Sequence, residues 1–484
     1  MKKKKTKASW VDWTRAIVYC ALYIVFLYWV DAWWGLIILP FIFDAYVTRF
    51  IPWTWWKESD NPIVLAVMPW VDAIVFALVA VYFVNIYFFQ NYVIPSSSLE
   101  KSLLTGDYLL VSKLSYGPRV PQTPLHMPLC QHTLPLGLGK SYIKWPQWEY
   151  KRVTPKPVQL NDIVVFNYPA GDTIITNPAY QTEYYSMCYL IGYQLWQQQA
   201  EMPVPILDSL TTLEQRKYYQ MVYDMGKAYI KASPNEFGNI DSRPVDRREN
   251  YVKRCVGLPG QTLQIKNKVI YLDGKVNPDA KNVQYKYNVE LKTSYLPEDI
   301  CYEIGLSMND VQDMYRTGQI PLTKAAKAAL KKQTAYVASI TPVEDHDTGM
   351  LYPQNGHTGW TCDNYGPVWI PQKGKKIPLT LENLPIYERP IRVYEGNDLQ
   401  VTPEGKILIN GKEAKEYTFK MNYYWMQGDN RHCSADSRFW GFVPEDHIVG
   451  KPIVIWWSTN ADRSWLSGHH VRWNRLFRFV DNIK

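Results

Sequence analysis

Several things are scarce in this chain, and each scarcity removes a class of protein. Its seven cysteines, at 20, 130, 188, 255, 301, 362 and 433, lie far apart and form no CxxC pair. That excludes a zinc ribbon or a thioredoxin-type redox site and leaves at most sparse disulfides; neither a metal nor a cofactor is expected. Charge of one sign is also thin: the formal charge is +8 over 484 residues, and residues 1–60 hold eight basic against five acidic ones. No dense basic patch remains to suggest nucleic acid. Disorder is excluded by the opposite of a lack, since 47% of residues are hydrophobic and 15% aromatic, and the length exceeds one small domain.

What the chain does have is a long apolar run. Ile63–Phe89 carries Asp72 as its only charge, so as a helix it is long enough to cross a hydrocarbon core of about 30 Å. Upstream, Ala16–Val30 and Ala32–Val47 are apolar runs split by Asp31, with Asp44 inside the second and Trp13, Trp33, Trp34, Trp53, Trp55 and Trp56 around them. Tryptophan suits the headgroup zone, and the pair reads as a tight helical hairpin. The start MKKKKTK, together with Arg49 and Lys57, places both the N-terminus and the loop near 49–61 on the cytoplasmic side. Three crossings satisfy these charges and put everything after about residue 90 outside. The competing reading, a cleaved export signal over residues 1–30, lacks a small-x-small site before Asp31.

From residue 91 the pattern changes to short β-type runs: Tyr108–Lys113, Asp162–Asn167, Tyr251–Val256, Leu263–Leu272 and Lys406–Ile409. Residues 1–90 are thus predicted to be a membrane anchor with three transmembrane helices, and 91–484 an exported, mostly β domain. An internal echo relates Gly260–Gly274 to Gly396–Gly411, each ending in a turn pair, Asp273-Gly274 and Asn410-Gly411. Two stretches, about 171–240 and 280–390, break the rhythm and read as helical insertions. Thr211–Ile230 has helical periodicity, and Ser307 and Thr323 are plausible N-caps; separate helical domains are the alternative.

Chemistry-bearing residues gather in a few clusters. Ser96-Ser97-Ser98-Leu99-Glu100 follows the last apolar run and precedes Gly106-Asp107. Lys253 lies in the apolar strand Tyr251–Val256, where alternation gives it the same face as Cys255 and a buried environment. Arg254 is expected on the opposite face, where its permanent charge does little harm. Finally, Gly428-Asp429-Asn430-Arg431-His432-Cys433-Ser434-Ala435-Asp436-Ser437-Arg438 is denser in hydrogen-bonding side chains than a simple turn requires.

In order and spacing these blocks resemble the type I signal peptidases, membrane-anchored serine proteases with a Ser/Lys dyad. The resemblance implies a signal-peptidase-like antiparallel β fold with Ser98 as nucleophile and Lys253 as general base. It further implies that Ser96 is an oxyanion donor beside the Ser98 N–H, and that Ser434 is the hydroxyl orienting the lysine. Asp429, Arg431, Asp436 and Arg438 are implied to form buried ion pairs that hold the last turn against the lysine strand. His432 is the tempting alternative base, at a position where the family tolerates variation. The chain departs from the family at Ser97, where Gly is usual, at Leu99 in place of Met, and at Lys101-Ser102 in place of Pro-Thr.

A serine hydroxyl is a poor nucleophile until a neighbouring base takes its proton, and lysine can do so only when neutral. Its pKa must therefore fall from about 10.4 by roughly two to three pH units, about 3–4 kcal/mol, which desolvation can supply. The substrate implied is an exported preprotein, bound as an added strand and cut after an Ala-x-Ala-like end. The bilayer and the secretion translocon are the further partners, and the site is the outer face of a bacterial inner membrane. Two other readings share these residues: an inactive scaffold of a translocation complex, and a self-processing Ser/Lys protease, against which the anchor argues.

Overall fold

The computed structural model describes residues 8–169, 171–177, 179–180, 184–199, 205–344, 350–460 and 470–483; the basic start MKKKKTK lies outside them. The first helix, Trp10–Val30, begins earlier than its apolar run because Ser9 and Asp12 form a reciprocal capping box. The third apolar run is a helix over Pro62–Tyr87, N-capped by Asn61. It stops short of Phe89 because the chain there turns extended and pairs as an edge strand. Both helices are long and apolar enough to cross a membrane.

Between them, Trp33–Thr48 is shorter and is not one regular helix. A 3-10 segment, Trp33–Ile38, passes into an α-turn, Leu39–Phe43, and ends in a π-turn, Asp44–Thr48. The segment nonetheless runs back along the first helix. At one end Tyr23 Oη donates to the Gly35 carbonyl at 3.0 Å, and at the other Arg49 pairs with Asp12 at 2.9 Å. Asp44 does not interrupt it. Its carboxylate ends the segment, accepting from the Phe50 and Ile51 backbone N–H groups at 2.6 and 3.0 Å and from Trp53 Nε1 at 3.1 Å.

Beyond these helices the fold is mostly β. A curled antiparallel sheet runs in the order Phe89–Val93, Asp107–Ser112, Ile448–Ser458, Ile163–Asn167, Asn250–Gly257, Tyr423–Gln427, Val443–Pro444. Ile94, Leu99, Leu103, Leu109, Val165 and Ile455 fill one side of it. Val164, Phe166, Cys255, Met426 and Trp440 fill the other. Strand Asn250–Gly257 is central and loses water on both faces, as a fully covered strand must.

Two smaller sheets carry the echo read in the sequence. Thr262–Lys266 pairs with Val269–Leu272 and that with Lys275–Asn277; likewise Leu399–Val401 pairs with Ile407–Ile409 and that with Lys412–Glu413. The run Leu263–Leu272 is therefore two strands, broken at Asn267-Lys268. Asp273-Gly274 and Asn410-Gly411 make the following turns with both residues at positive φ. Around residues 171–240 the helices are Tyr184–Gln199 and Thr212–Ala232, the latter opened by a Thr211/Glu214 capping box. Ser307 and Thr323 cap Met308–Thr317 and Lys324–Lys331 as their spacing suggests. The second irregular stretch is not purely helical. Gln284–Leu291, Gln319–Thr323 and Val337–Pro342 form a separate sheet with its own core, whereas Tyr365–Trp369 joins the sheet of Thr262–Lys266.

The loop between the first two strands is closed by paired backbone bonds, Ile94 N to Asp107 O and Gly106 N to Ile94 O, both 2.9 Å. Asp107 is fully buried and is held by Arg475 at 2.6 Å and by Ser458 Oγ at 2.6 Å. Gly106 has φ +88°, and a Cβ there would lie 2.1 Å from the Thr459 carbonyl oxygen. Gly106→Ala is expected to destabilise the domain by about 2 kcal/mol or more, read as a lowered unfolding temperature in detergent. An unchanged melting curve would mean that this loop is not anchored by its neighbours.

Candidate active site

Ser98 sits in a single 3-10 turn, Ser97–Leu99, which is fixed from below by Leu99, completely buried in the core. Leu at this position fills the apolar space, and Ser97 adopts a negative φ with an exposed side chain, so neither departure strains the turn. Lys253 stands opposite Val164 in the central strand and is 3% exposed. Its ammonium nitrogen lies 2.7 Å from Ser98 Oγ. The remaining polar contact of Nζ is the Val252 carbonyl at 3.2 Å, and Tyr251 presents its ring 5.7 Å away.

Burial pushes the Lys253 pKa down to about 8, against the opposing pull of Asp436 and Asp429. Both carboxylates are neutralised nearby, which limits that pull. Asp429 is gripped by Arg254 through Nε at 2.8 Å and Nη2 at 2.7 Å, and Asp436 by Arg438 through Nε at 2.9 Å and Nη2 at 2.8 Å. Arg254 does point away from Lys253, as alternation requires, but its charge is buried at 3% exposure and compensated, not released to a solvent-facing side.

The terminal motif holds the serine directly. Asn430 donates its backbone N–H to the Ser98 carbonyl at 3.1 Å and its Nδ2 to the Ser97 carbonyl at 3.3 Å. At Gly428 a Cβ would meet Ser434 Oγ at 2.2 Å and the Ser98 carbonyl oxygen at 2.6 Å, so only glycine lets the chain here pack against the Ser434 side chain and the Ser98 backbone together. Ser434 is thereby placed beside Ser98, yet its hydroxyl donates to the Ala435 carbonyl at 3.3 Å and makes no bond to Lys253 in this state. Ser96 is extended and exposed.

Of the four charged motif residues, Asp429 alone bonds to the lysine strand. Asp436 and Arg438 pair within the loop, and Arg438 donates to the Arg431 carbonyl at 2.5 Å. Arg431 reaches outward to Asp279 at 3.1 Å. The expectation that all four tie the turn to that strand is therefore met by one pair. His432 is remote from the dyad: its Nδ1 accepts from the Lys286 N–H at 3.2 Å and its Nε2 lies 2.8 Å from Asp363.

Sequence reasoning passed over three positioning residues. Ser102 is fully buried and donates to Asp429 at 2.5 Å; its hydroxyl stands where the family has threonine, which was the available signal. Asn430 lay in the motif without an assigned role. Arg475 joins the Ser102 carbonyl at 3.0 Å to Asp107 from far down the chain, with no local pattern to reveal it.

The profile of the family described as "Signal peptidase, peptidase S26" matches residues 67–313 and 410–457. The chain belongs to this family. It is 52% identical over 280 residues to Signal peptidase I of Buchnera aphidicola subsp. Acyrthosiphon pisum, an alignment covering 57% of this chain and 70% of that relative. Shorter matches link it to Signal peptidase I of Haemophilus influenzae, 39% over 103 residues, covering 17% and 29% of the two chains. Another is Signal peptidase I of Aquifex aeolicus, 61% over 36 residues, covering 7% and 14%. In this S26 chain, as in any protein, truncating one half of a buried ion pair strands the other charge. Asp429→Ala is expected to cost about 3–5 kcal/mol, with much of it recovered when Arg254 is replaced by Met in the same chain. Thermal unfolding of both variants measures this, and equal stability of wild type and Asp429→Ala would deny the pair its structural role.

Proposed function

We propose that the chain is a membrane-bound serine endopeptidase that removes N-terminal signal peptides from exported preproteins. The 2.7 Å contact between Ser98 Oγ and a lysine amine excluded from water carries this reading. Neutral Lys253 takes the Ser98 proton as Oγ attacks the scissile carbonyl. The resulting ammonium returns that proton to the departing amine, leaving an acyl-enzyme. Water, deprotonated by the same amine, then releases the acid and regenerates Ser98.

The developing oxyanion is met by the Ser96 hydroxyl and the Ser98 N–H. Ser434 orients the lysine once its long bond to Ala435 is exchanged. Small residues before the cleaved bond, in an Ala-x-Ala-like end, are the expected specificity, with the peptide added as a strand. The anchor is read as three crossings with the catalytic domain on the outer face of a bacterial inner membrane. The out-and-back path of residues 10–49 supports this, and the arrangement leaves the secretion translocon as a neighbour in the bilayer.

Ser98→Ala and Lys253→Ala should each lower cleavage of a purified preprotein by on the order of 10⁴-fold or more, and Ser96→Ala by about 10²–10³-fold. Full activity in either dyad variant would remove the assignment. Because the protonated amine cannot accept the serine proton, the rate should be low in acid and rise with pH through a midpoint of about 8. A midpoint at the free-lysine value, about 10.4, would show that the base is another group.

A further inference from the structure

A cavity of about 380 Å³ lies at the foot of the catalytic sheet, where Tyr82 and Asn85 from the end of the long helix meet Tyr92, Lys113, Arg119 and Arg247. It takes no part in the chemistry above. Its electrostatics are one-sided. Three cationic side chains line it against one carboxylate, Asp246.

The cations are unequally satisfied. Arg119 is engaged, donating to Asn167 Oδ1 at 2.6 Å and to the Asp446 carbonyl. Arg247 is 8% exposed, and its buried Nε has no hydrogen-bond partner. Its nearest acid contact is Asp246 at 3.6 Å, but that carboxylate already accepts from Thr123 N at 2.9 Å and Thr123 Oγ1 at 2.8 Å. Lys113 is drawn down to about 7 by burial and by Arg119 and Arg247, with Asp246 as its opposing charge.

Burial and Arg247 hold the His126 pKa below its usual value. Its Nδ1 lies 3.2 Å from the Met127 carbonyl and its Nε2 3.1 Å from Tyr82 Oη. Arg247 is buried and Lys113 and Arg119 are half-buried around one committed carboxylate, a clustering of basic groups that is costly unless an anion joins them. Gln122 Oε1, also buried and unpartnered in the lining, offers an acceptor for a hydroxyl beside that anion.

We propose that this cavity is an anion site built for a phosphate group, and that a phospholipid headgroup bearing net negative charge and a free hydroxyl supplies it. Lipid is the source because Tyr82, Asn85 and Ile86 of the cavity come from the C-terminal end of a membrane-length helix, and its Gln122 carbonyl accepts at 2.9 Å from the N–H of Trp148, whose indole lies 4.8 Å from that of Trp34. The site borders the chemistry without belonging to it. Asn250 lines the cavity three residues before Lys253 on the same strand, and Val93 lines it five residues before Ser98.

The test uses the full chain in neutral detergent, as wild type, Lys113→Met and Arg247→Gln. Thermal unfolding and native mass spectrometry are recorded with phosphatidylglycerol, phosphatidylcholine or inorganic phosphate. The wild type should be stabilised by phosphatidylglycerol and bind it about tenfold or more tightly than either variant does, a difference of about 1.4 kcal/mol, with little response to phosphatidylcholine. Without lipid, Lys113→Met should unfold no earlier than wild type, since it removes a half-buried amine set among like charges. Equal stabilisation of wild type and both variants by phosphatidylglycerol, or of none of them by any probe, would overturn the site. A wild-type response to inorganic phosphate matching that to the lipid, and lost in the variants, would keep the anion site and overturn the headgroup as its source.

Discussion

One strand buries two adjacent basic side chains whose surroundings pull them apart. Burial brings the Lys253 pKa down to about 8, whereas Arg254, one residue on, cannot lose its proton. The structure separates them by the alternation of a β-strand and then neutralises the second with Asp429. Ion-pairing Arg254 on the far face leaves desolvation to dominate on the near face. The same loop that supplies Asp429 presents Asn430 to the Ser97 and Ser98 carbonyls. The device that compensates one charge thus also positions the hydroxyl facing the other.

The portions legible in the sequence were those written in short-range patterns. Capping at Thr211, Ser307 and Thr323 needs only nearby residues, and so do the turns at Asp273-Gly274 and Asn410-Gly411. The juxtaposition of Ser98 and Lys253 was legible through the spaced family motifs. Contacts that join distant, unpatterned positions were not. Arg475 reads as an ordinary basic residue until it is seen under Ser102 and Asp107. Trp33–Thr48 looks like a plain apolar helix in composition; its passage through three helical pitches follows from having to return alongside the first helix and end on Asp44. The sheet within residues 284–342 was masked by the strong helix formers around it.

The two irregular stretches relate differently to the site. Helices Tyr184–Gln199 and Thr212–Ala232 pack on each other through Cys188, Ile191, Tyr219 and Val222. Arg216 ties them to Glu388 at 2.8 and 3.0 Å. The sheet of residues 284–342 has an independent core, yet its first strand meets the terminal motif itself. Gln284 N donates to the Asp429 carbonyl at 2.8 Å, and Arg431 N donates to the Gln284 carbonyl at 3.0 Å. That unit is therefore joined directly to the loop that grips Ser98, whereas the helical pair is attached farther along the fold.

The long helix ends at Tyr87 and the first strand begins at Phe89, with no tether between them. A second attachment is made by Asp31 with Lys151 and by Val30 packed on Val120 and Val153. Two attachments, one at the end of each membrane-length helix, brace the sheet against both, so its tilt relative to that pair is set by the fold and not by a single hinge.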